Sequence, residues 1–365
     1  SGAEHWSVQV DSSSRSVEPV CDGSNYPSME GRNDGRRFLE GLIGCPVDEV
    51  RLRPLGGGLV ASAVTHATAR YRDTEGRIRS VSCVLKAIEG NAAREGRIYE
   101  HLWGCGLEGF APVLWGVGRD GDRRLLCLQA IRPAERWPWR NLSFAQQVLR
   151  VLATLHMTPL SAEMKGILST WDYERELAAS AERSLKLLEQ AYHEHRIIEL
   201  RGYGPALRRV VGQLGELRRR LLGFAPLGQA MIHGDVHSGN VMIHKQGGQL
   251  VPVLLDWGRA RVGSPLEDVS SWLQNLGYWE PQAKRRHDTL LGEYLSVCRP
   301  TLSLGREMRK AYWLAAASNA LGGALCYHLQ LLLSPGVAAR KQLLAFHAAS
   351  DALRVIRRAD AWWNG

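Results

Sequence analysis

The stretch Met231-Ile232-His233-Gly234-Asp235-Val236-His237-Ser238-Gly239-Asn240-Val241 decides how this chain is read. A second apolar run follows and ends in Leu254-Leu255-Asp256-Trp257-Gly258. Two carboxylates and one amide therefore stand in two glycine-bearing turns, each after a short apolar run. Phosphoryl transfer to a hydroxyl needs such a set: an acceptor for the hydroxyl proton and oxygen ligands for magnesium. Asp235 is placed to accept the proton. Asn240, past Gly239 in the same loop, offers an amide oxygen to the metal, and Asp256 offers a carboxylate. Either motif alone would be a plain turn. H-G-D-x-x-x-x-N followed by D-W-G predicts three oxygen-bearing side chains that share one divalent cation and the terminal phosphoryl group.

The 365 residues are 45% hydrophobic and 23% charged, enough to bury a large core and to divide into two lobes. No apolar run reaches the length of a membrane span. Trp313 to Leu333 is broken by Asn319, Gly322, Gly323 and His328, and reads as a buried helix pair or one long core helix. Seven scattered cysteines without a C-x-x-C pattern predict a reduced, cytoplasmic protein with neither a disulfide framework nor a zinc ribbon. The net charge of +9 admits a nucleic-acid or membrane-surface partner. The arginines are dispersed, however. Their densest group, Arg208, Arg209, Arg218, Arg219 and Arg220, lies on the polar face of a helical pattern and reads as solvated. Neither nucleic acid nor membrane is expected as a partner.

Residues 1–32 have no period and read as an irregular N-terminal extension. Asn33 is expected to cap a helix with Phe38, Leu39, Leu42 and Ile43 on one face. From Val50 to Ile131 the order is strand, turn, strand, helix, strand, turn, strand, as in an antiparallel sheet with one helix. Gly116-Val117-Gly118-Arg119-Asp120-Gly121 matches G-x-G-x-x-G, but the alternating run Arg124–Leu128 follows it where a dinucleotide site needs a helix. A hairpin is the reading. After Pro133 the pattern turns helical, with Ser143 and Gln146 fitting a capping box. The expected division is an N-terminal nucleotide-binding lobe over 33–131 and a C-terminal catalytic and substrate-binding helical lobe over 132–365.

These motifs resemble the aminoglycoside phosphotransferase and choline kinase family, a branch of the protein-kinase-like fold. Residues 231–240 resemble its catalytic loop, and residues 254–268, with Gly258-Arg259-Ala260, its metal-binding segment and the helix after it. The Gly-Arg-Ala form is closer to the antibiotic phosphotransferases than to the choline kinases. The resemblance implies an α+β, two-lobed protein-kinase-like fold, with a small antiparallel sheet lobe and a larger, mainly helical lobe. It implies transfer of the γ-phosphate of ATP or GTP, with Mg2+, to a hydroxyl of a small molecule. Lys86, in Val84-Leu85-Lys86, matches the family's phosphate-binding lysine, and Glu95 its brace, with Glu100 as the competing choice. A strand-edge lysine that discourages aggregation is the plainer alternative. Leu55 to Ser62, which holds Gly57, Gly58 and Ser62, matches the nucleotide-covering loop, whose glycines let backbone N–H groups approach phosphate. Leu128 to Ile131 matches the hinge, where the backbone of Gln129 and Ile131 would meet the base. By the same resemblance His233 orders the catalytic loop, His237 faces the substrate and Asp268 braces the loop.

His233 and His237 stand four apart, like a zinc-binding helical pair, but Gly234 and the turn pattern argue against a helix there. Glu267, Glu280 and Glu293 are candidate acidic walls for a polycationic aminoglycoside. A different antibiotic, a sugar, choline or an amino alcohol remain open as acceptors. Trp137 and Trp139 fit loop anchors better than pocket walls. A protein kinase would carry a longer segment between Asp256 and the next helix. A non-catalytic nucleotide-binding regulator would have lost one of the key residues, and all are present.

Overall fold

A computed structural model describes residues 32–55, 63–120, 123–135, 137, 142–195 and 197–364. Gly57, Gly58, Ser62, Trp139 and most of the N-terminal extension lie outside the described residues. In chain order the elements are α1 (Arg32–Ile43), β1 (Val47–Leu55), β2 (Ala63–Arg72), β3 (Ile78–Ile88), α2 (Glu95–Gly104), β4 (Leu114–Asp120), β5 (Arg123–Gln129), α3 (Leu142–Met157), α4 (Ala162–Leu168), α5 (Tyr173–His193), α6 (Gly204–Gly212), α7 (Leu214–Leu222), β6 (Ala230–Ile232), β7 (Val241–Gln246), β8 (Gln249–Leu254), β9 (Arg261–Gly263), α8 (Pro265–Trp279), α9 (Pro281–Arg285), α10 (His287–Cys298), α11 (Arg306–Asn319), α12 (Leu325–Leu333) and α13 (Ala339–Asn364).

The chain forms two compact units. One holds the described residues up to Glu135 together with Met242–Gly258; the other holds Arg136–Val241 and Arg259–Gly365. The sequence gives no sign that 242–258 returns to the first unit. Backbone pairing does it: Ala134 donates to the Ile243 carbonyl at 2.7 Å, and Glu135 bridges Ile243.

In the first unit five antiparallel strands run in the order β1-β2-β3-β5-β4. The apolar stripe of α1 covers one face. Phe38 and Leu39 are buried with Val47, Ala67, Tyr71, Leu85, Leu125 and Cys127. Burying a side chain the size of Phe38 stabilises the unit by about 2–3 kcal/mol. This packing also explains the glycine-rich motif. Gly116 and Gly118 lie in β4, and a Cβ on either would collide with Leu42 or Phe38 of α1. The glycines are there for a helix to lie close on a strand. Lys86 sits in β3, paired with Val64 on one side and Leu126 on the other. β3 is the middle strand of the sheet, so the strand-edge reading of Lys86 is wrong.

The second unit is mainly helical, with β6 and β9 as its only named strand pair among the described residues. Its wholly buried side chains include Leu149 and Leu152 of α3, Trp272 of α8, Tyr294 of α10 and Tyr312 of α11. The Trp272 indole donates to the Ala145 carbonyl at 3.3 Å, tying α8 to α3.

Three local expectations need correction, and one open alternative is decided. Helix α1 begins at Arg32, so Asn33 lies inside its first turn and is not the cap. Helix α3 begins at Leu142, and the Gln146 amide donates to Glu293 rather than closing a capping box with Ser143. Of the two readings of Trp313–Leu333 the helix pair is the one found, α11 and α12 joined by a wider π-type turn over Ala320–Ala324, where Gly323 adopts φ +138°. Arg219, Arg220 and Arg208 are exposed and pair with Glu216 or Glu189. Arg218 is buried instead, bonded to Glu174 and Glu267. A hydrophobic pattern records side-chain polarity but not whether a buried partner of opposite charge waits on another helix.

Candidate active site

The loop after β6 starts from a wholly buried His233. Gly234 follows with φ +79°, and a Cβ there would collide with the Arg259 carbonyl and the Arg261 guanidinium. Both the left-handed backbone and the close approach require glycine. The chain therefore turns sharply and presents Asp235, whose side chain is 39% exposed. The Asn240 amide nitrogen donates to the Asp235 carbonyl at 3.0 Å and to its carboxylate at 3.2 Å. Both partners are acceptors, so the nitrogen must face them and the amide oxygen is the end left for a cation. His237 Nε2 stands 3.8 Å from the same carboxylate. Burial pushes the Asp235 carboxyl up, but the His237 contact and the charges of Arg259 and His233 hold it below the usual range. It is a carboxylate at neutral pH, as a proton acceptor must be.

Helix α8 holds this loop at both ends. Asp268, wholly buried, accepts the N–H of His233 and of Gly234, each at 2.7 Å. His156 Nε2 donates to the same carboxylate at 3.1 Å, and its Nδ1 meets the Tyr294 hydroxyl at 2.8 Å. Two turns further along α8, Asn275 accepts the Ser238 N–H at 2.8 Å. His156, Tyr294 and Asn275 escaped the sequence reading. Asn275 had a signal, since positions i and i+7 share a helix face with Asp268. His156 had a weaker one, a polar residue closing an apolar stripe.

The two loop histidines do not form a metal pair. His233 Nδ1 accepts the Asp235 N–H at 3.3 Å, and His237 Nδ1 accepts the Gly239 N–H at 3.0 Å. Among the described residues no group of three His, Cys, Asp or Glu side chains is arranged around a metal position.

In the first unit Lys86 joins two of the predicted carboxylates. Its Nζ lies 2.9 and 2.7 Å from the Glu95 oxygens and 2.8 Å from Asp256 Oδ1. Glu95 is therefore the partner, while Glu100 is exposed. Burial works against the Lys86 charge, yet Glu95 and Asp256 hold its pKa above the ordinary lysine value. Glu95, wholly buried, is pushed up by desolvation and by the neighbouring Asp256, with Lys86 opposing. The Asp256 side chain is 43% exposed. Lys86 takes Oδ1, so Oδ2 is the oxygen left for a ligand. Asp256 and Asn240 are thus hard oxygen donors, the kind magnesium selects. At the expected hinge the Gln129 N–H is already bonded to the Val113 carbonyl at 2.8 Å, inside the sheet. Ile131 follows in irregular backbone, half-buried.

The three candidate acidic walls are occupied elsewhere. Glu267 is buried, bonded to Arg218 and Arg261, and accepts the Ser264 N–H at the start of α8. Glu293 accepts from Gln146, and Glu280 accepts the Gln282 N–H at the start of α9. Trp137 packs on Trp272 with ring centroids 6.1 Å apart, as a loop anchor would.

A five-stranded antiparallel sheet with a central Lys–Glu pair, joined to a mainly helical portion with an H-G-D-x-x-x-x-N loop, is a protein-kinase-like fold of the small-molecule kinase class. The chain belongs to the phosphotransferase enzyme family, whose model matches residues 64–300. Solved structures of the same fold include a spectinomycin phosphotransferase in complex with ADP and spectinomycin, at 12% identity and TM-score 0.56, covering 90% of this chain and 98% of that one. A choline kinase from Cryptosporidium parvum matches at 10% identity and TM-score 0.55, covering 85% and 89%. An aminoglycoside phosphotransferase from Alicyclobacillus acidocaldarius matches at 16% identity and TM-score 0.52, covering 85% and 90%. No curated protein sequence matches the chain.

Proposed function

We propose that this protein transfers the γ-phosphate of ATP or GTP to a hydroxyl of a small molecule, an antibiotic or a small metabolite. The observation that carries the reading is the Asp235–Asn240 arrangement: an ionised carboxylate fixed by an amide whose oxygen is left for a cation. Asp235 accepts the proton of the attacking hydroxyl. Asn240 and Asp256 would hold Mg2+, which neutralises charge on the phosphates when bound. Lys86, braced by Glu95, binds the phosphates, and His237 faces the acceptor. The rate enhancement comes from positioning and charge neutralisation. A structure of the same fold in complex with ADP and spectinomycin supports nucleotide use with a small-molecule acceptor. The described cysteines are all free, which fits a reducing, cytoplasmic setting. No helix of the described residues is long and apolar enough to cross a membrane.

A second reading concerns the acceptor. Glu267, Glu280 and Glu293 are committed to Arg218 and Arg261, to a helix start and to Gln146. With those acids engaged, a sugar or a singly charged amino alcohol fits better than a polycationic aminoglycoside.

The test is a coupled nucleotide-turnover assay across hydroxyl-bearing antibiotics, sugars and amino alcohols. With the accepted substrate, Asp235→Ala is expected to lose about 10²–10⁴-fold in kcat, the usual contribution of a general base, while nucleotide binding is kept. Wild-type turnover by Asp235→Ala would remove Asp235 from the role of base.

A further inference from the structure

Glu267 and Asp268 stand side by side at the start of α8, and both reach the same glycine. Asp268 takes the Gly234 N–H directly, at 2.7 Å. Glu267 works through Arg261, a residue of β9 that lies opposite Ile232 of β6. Arg261 Nη2 donates to Glu267 Oε1 at 2.9 Å. Its Nη1 stands 3.3 Å from the Arg259 carbonyl and 3.5 Å from the Gly234 carbonyl. One guanidinium thus bridges the carbonyl just before Asp235 to the segment that enters β9. Only glycine at 234 leaves room for it, because a Cβ there would collide with Nη1.

The geometry is not the one that would suit Arg261 best. Arginine and carboxylate favour a two-pronged pair. Here Glu267 Oε1 is shared with Arg218 Nη1 at 2.9 Å, and Oε2 accepts the Ser264 N–H at 3.0 Å. Arg261 Nε is left buried with no hydrogen-bond partner among the described residues. A buried donor in that state costs free energy. The guanidinium carbon sits 3.6 Å from the centre of the buried Tyr173 ring, which offsets part of that cost. What the arrangement keeps is Nη1 against the two carbonyls.

We infer that Arg261 is a positioning residue for Asp235: seated on Glu267 and Tyr173, it holds the Gly234 carbonyl while Asp268 holds the Gly234 N–H, so that the turn presenting Asp235 is fixed from both sides. This rests on the reading of Asp235 as the proton acceptor. Arg261 is buried and touches no substrate; it acts through the backbone of Gly234. Loss of Arg261 should loosen the loop and slow turnover, yet leave nucleotide binding as it was. A buried ion cluster that only held helices together would change stability and nothing else.

The test uses the full chain and two readouts. One is hydrogen exchange of the 233–240 amides by mass spectrometry. The other is phosphate release from ATP with Mg2+, with water as the acceptor until the substrate panel supplies one. The informative variant is the pair Arg261→Met/Glu267→Gln. Removing one partner of a buried ion pair strands the other, whereas removing both leaves the charges balanced. Arg218 then keeps Glu174, and the new amide oxygen can still take the Ser264 N–H. Exchange over 233–240 is expected to rise about tenfold and kcat to fall about tenfold, the effect of one lost hydrogen bond to a charged group. KM for ATP should stay at the wild-type value. Arg261→Lys keeps the charge count and should fall between wild type and the pair in both readouts; it replaces the pair if the pair folds poorly. Arg218→Met is the structural control: Arg218 shares Glu267, but its bonds go to Glu174 and Glu267 and not to the loop. It should lower Tm and leave exchange and kcat unchanged. Wild-type exchange or wild-type kcat in the paired variant, or equal losses in Arg218→Met, overturns the assignment. Asp235→Ala tests the reading beneath it. If Asp235→Ala turns over like the wild type, the base assignment fails; if it is inactive while the paired variant matches the wild type, only the role of Arg261 fails.

Discussion

At the scale of single residues, Asp268 shows how a buried charge is made tolerable. Burial alone would push its carboxyl up, but His156 and the loop amides hold it below the ordinary range. A carboxylate depressed in the folded state stabilises the protein above its unfolded value of about 3.9, and that contribution is lost as pH falls through the lower folded value. Asp268→Asn should cost about 3 kcal/mol at pH 7, because His156 and two amides lose a charged acceptor. The deficit against wild type should shrink below about pH 4. Urea unfolding across a pH series measures both. A deficit that stays constant with pH would assign the loss to packing. The residues singled out from sequence at this scale, Asp235, Asn240 and Asp256, lie in short motifs whose order and spacing carry meaning. Those that were missed, His156, Tyr294 and Asn275, act on partners far along the chain.

At the scale of elements, periodicity located most helices, and Asn319, Gly322 and Gly323 marked the break between α11 and α12. The apolar residues continue from α11 into α12, and this left one long helix open beside a helix pair. The break is made by Gly323, whose φ of +138° no side-chain-bearing residue adopts comfortably. The Gly322 carbonyl beside it accepts from Arg259 at 3.0 Å, so the break has a partner as well as a kink. Gly323→Ala should destabilise the protein by about 1–3 kcal/mol, the usual cost of forcing such a conformation. Equilibrium urea denaturation would show it, and an unchanged midpoint would mean that the turn relaxes. Gly116 and Gly118 make the complementary point. They looked like a phosphate-binding fingerprint, and they are glycines because Phe38 and Leu42 of α1 lie against them.

At the scale of the whole molecule, nucleotide use should register as stability. A ligand that binds only the folded state at a hundred times its dissociation constant adds about 2.7 kcal/mol. For a chain of this size that is a rise of several degrees in Tm. ATP or GTP with Mg2+ should produce it in a thermal-shift assay, chelation with EDTA should remove part of it, and Lys86→Met should abolish most of it. If neither nucleotide moves Tm, the phosphoryl-donor reading is wrong. The pair of nucleotides also decides which base is preferred.

The sequence by itself determined the class of chemistry and the type of fold. Lys86, Glu95, Asp235, Asn240 and Asp256 occur in short motifs in a fixed order, and local alternation and helical period separate a sheet-bearing part from a helical one. Only the tertiary structure decided which glutamate meets Lys86, that Arg218 is buried, that Glu267 is consumed by ion pairs, and that Asp268 and Asn275 of α8 hold the loop after β6. The reason is physical. Short-range patterns encode what a residue offers, whereas a buried charge or a strained backbone is stabilised by partners that only folding brings within hydrogen-bond reach.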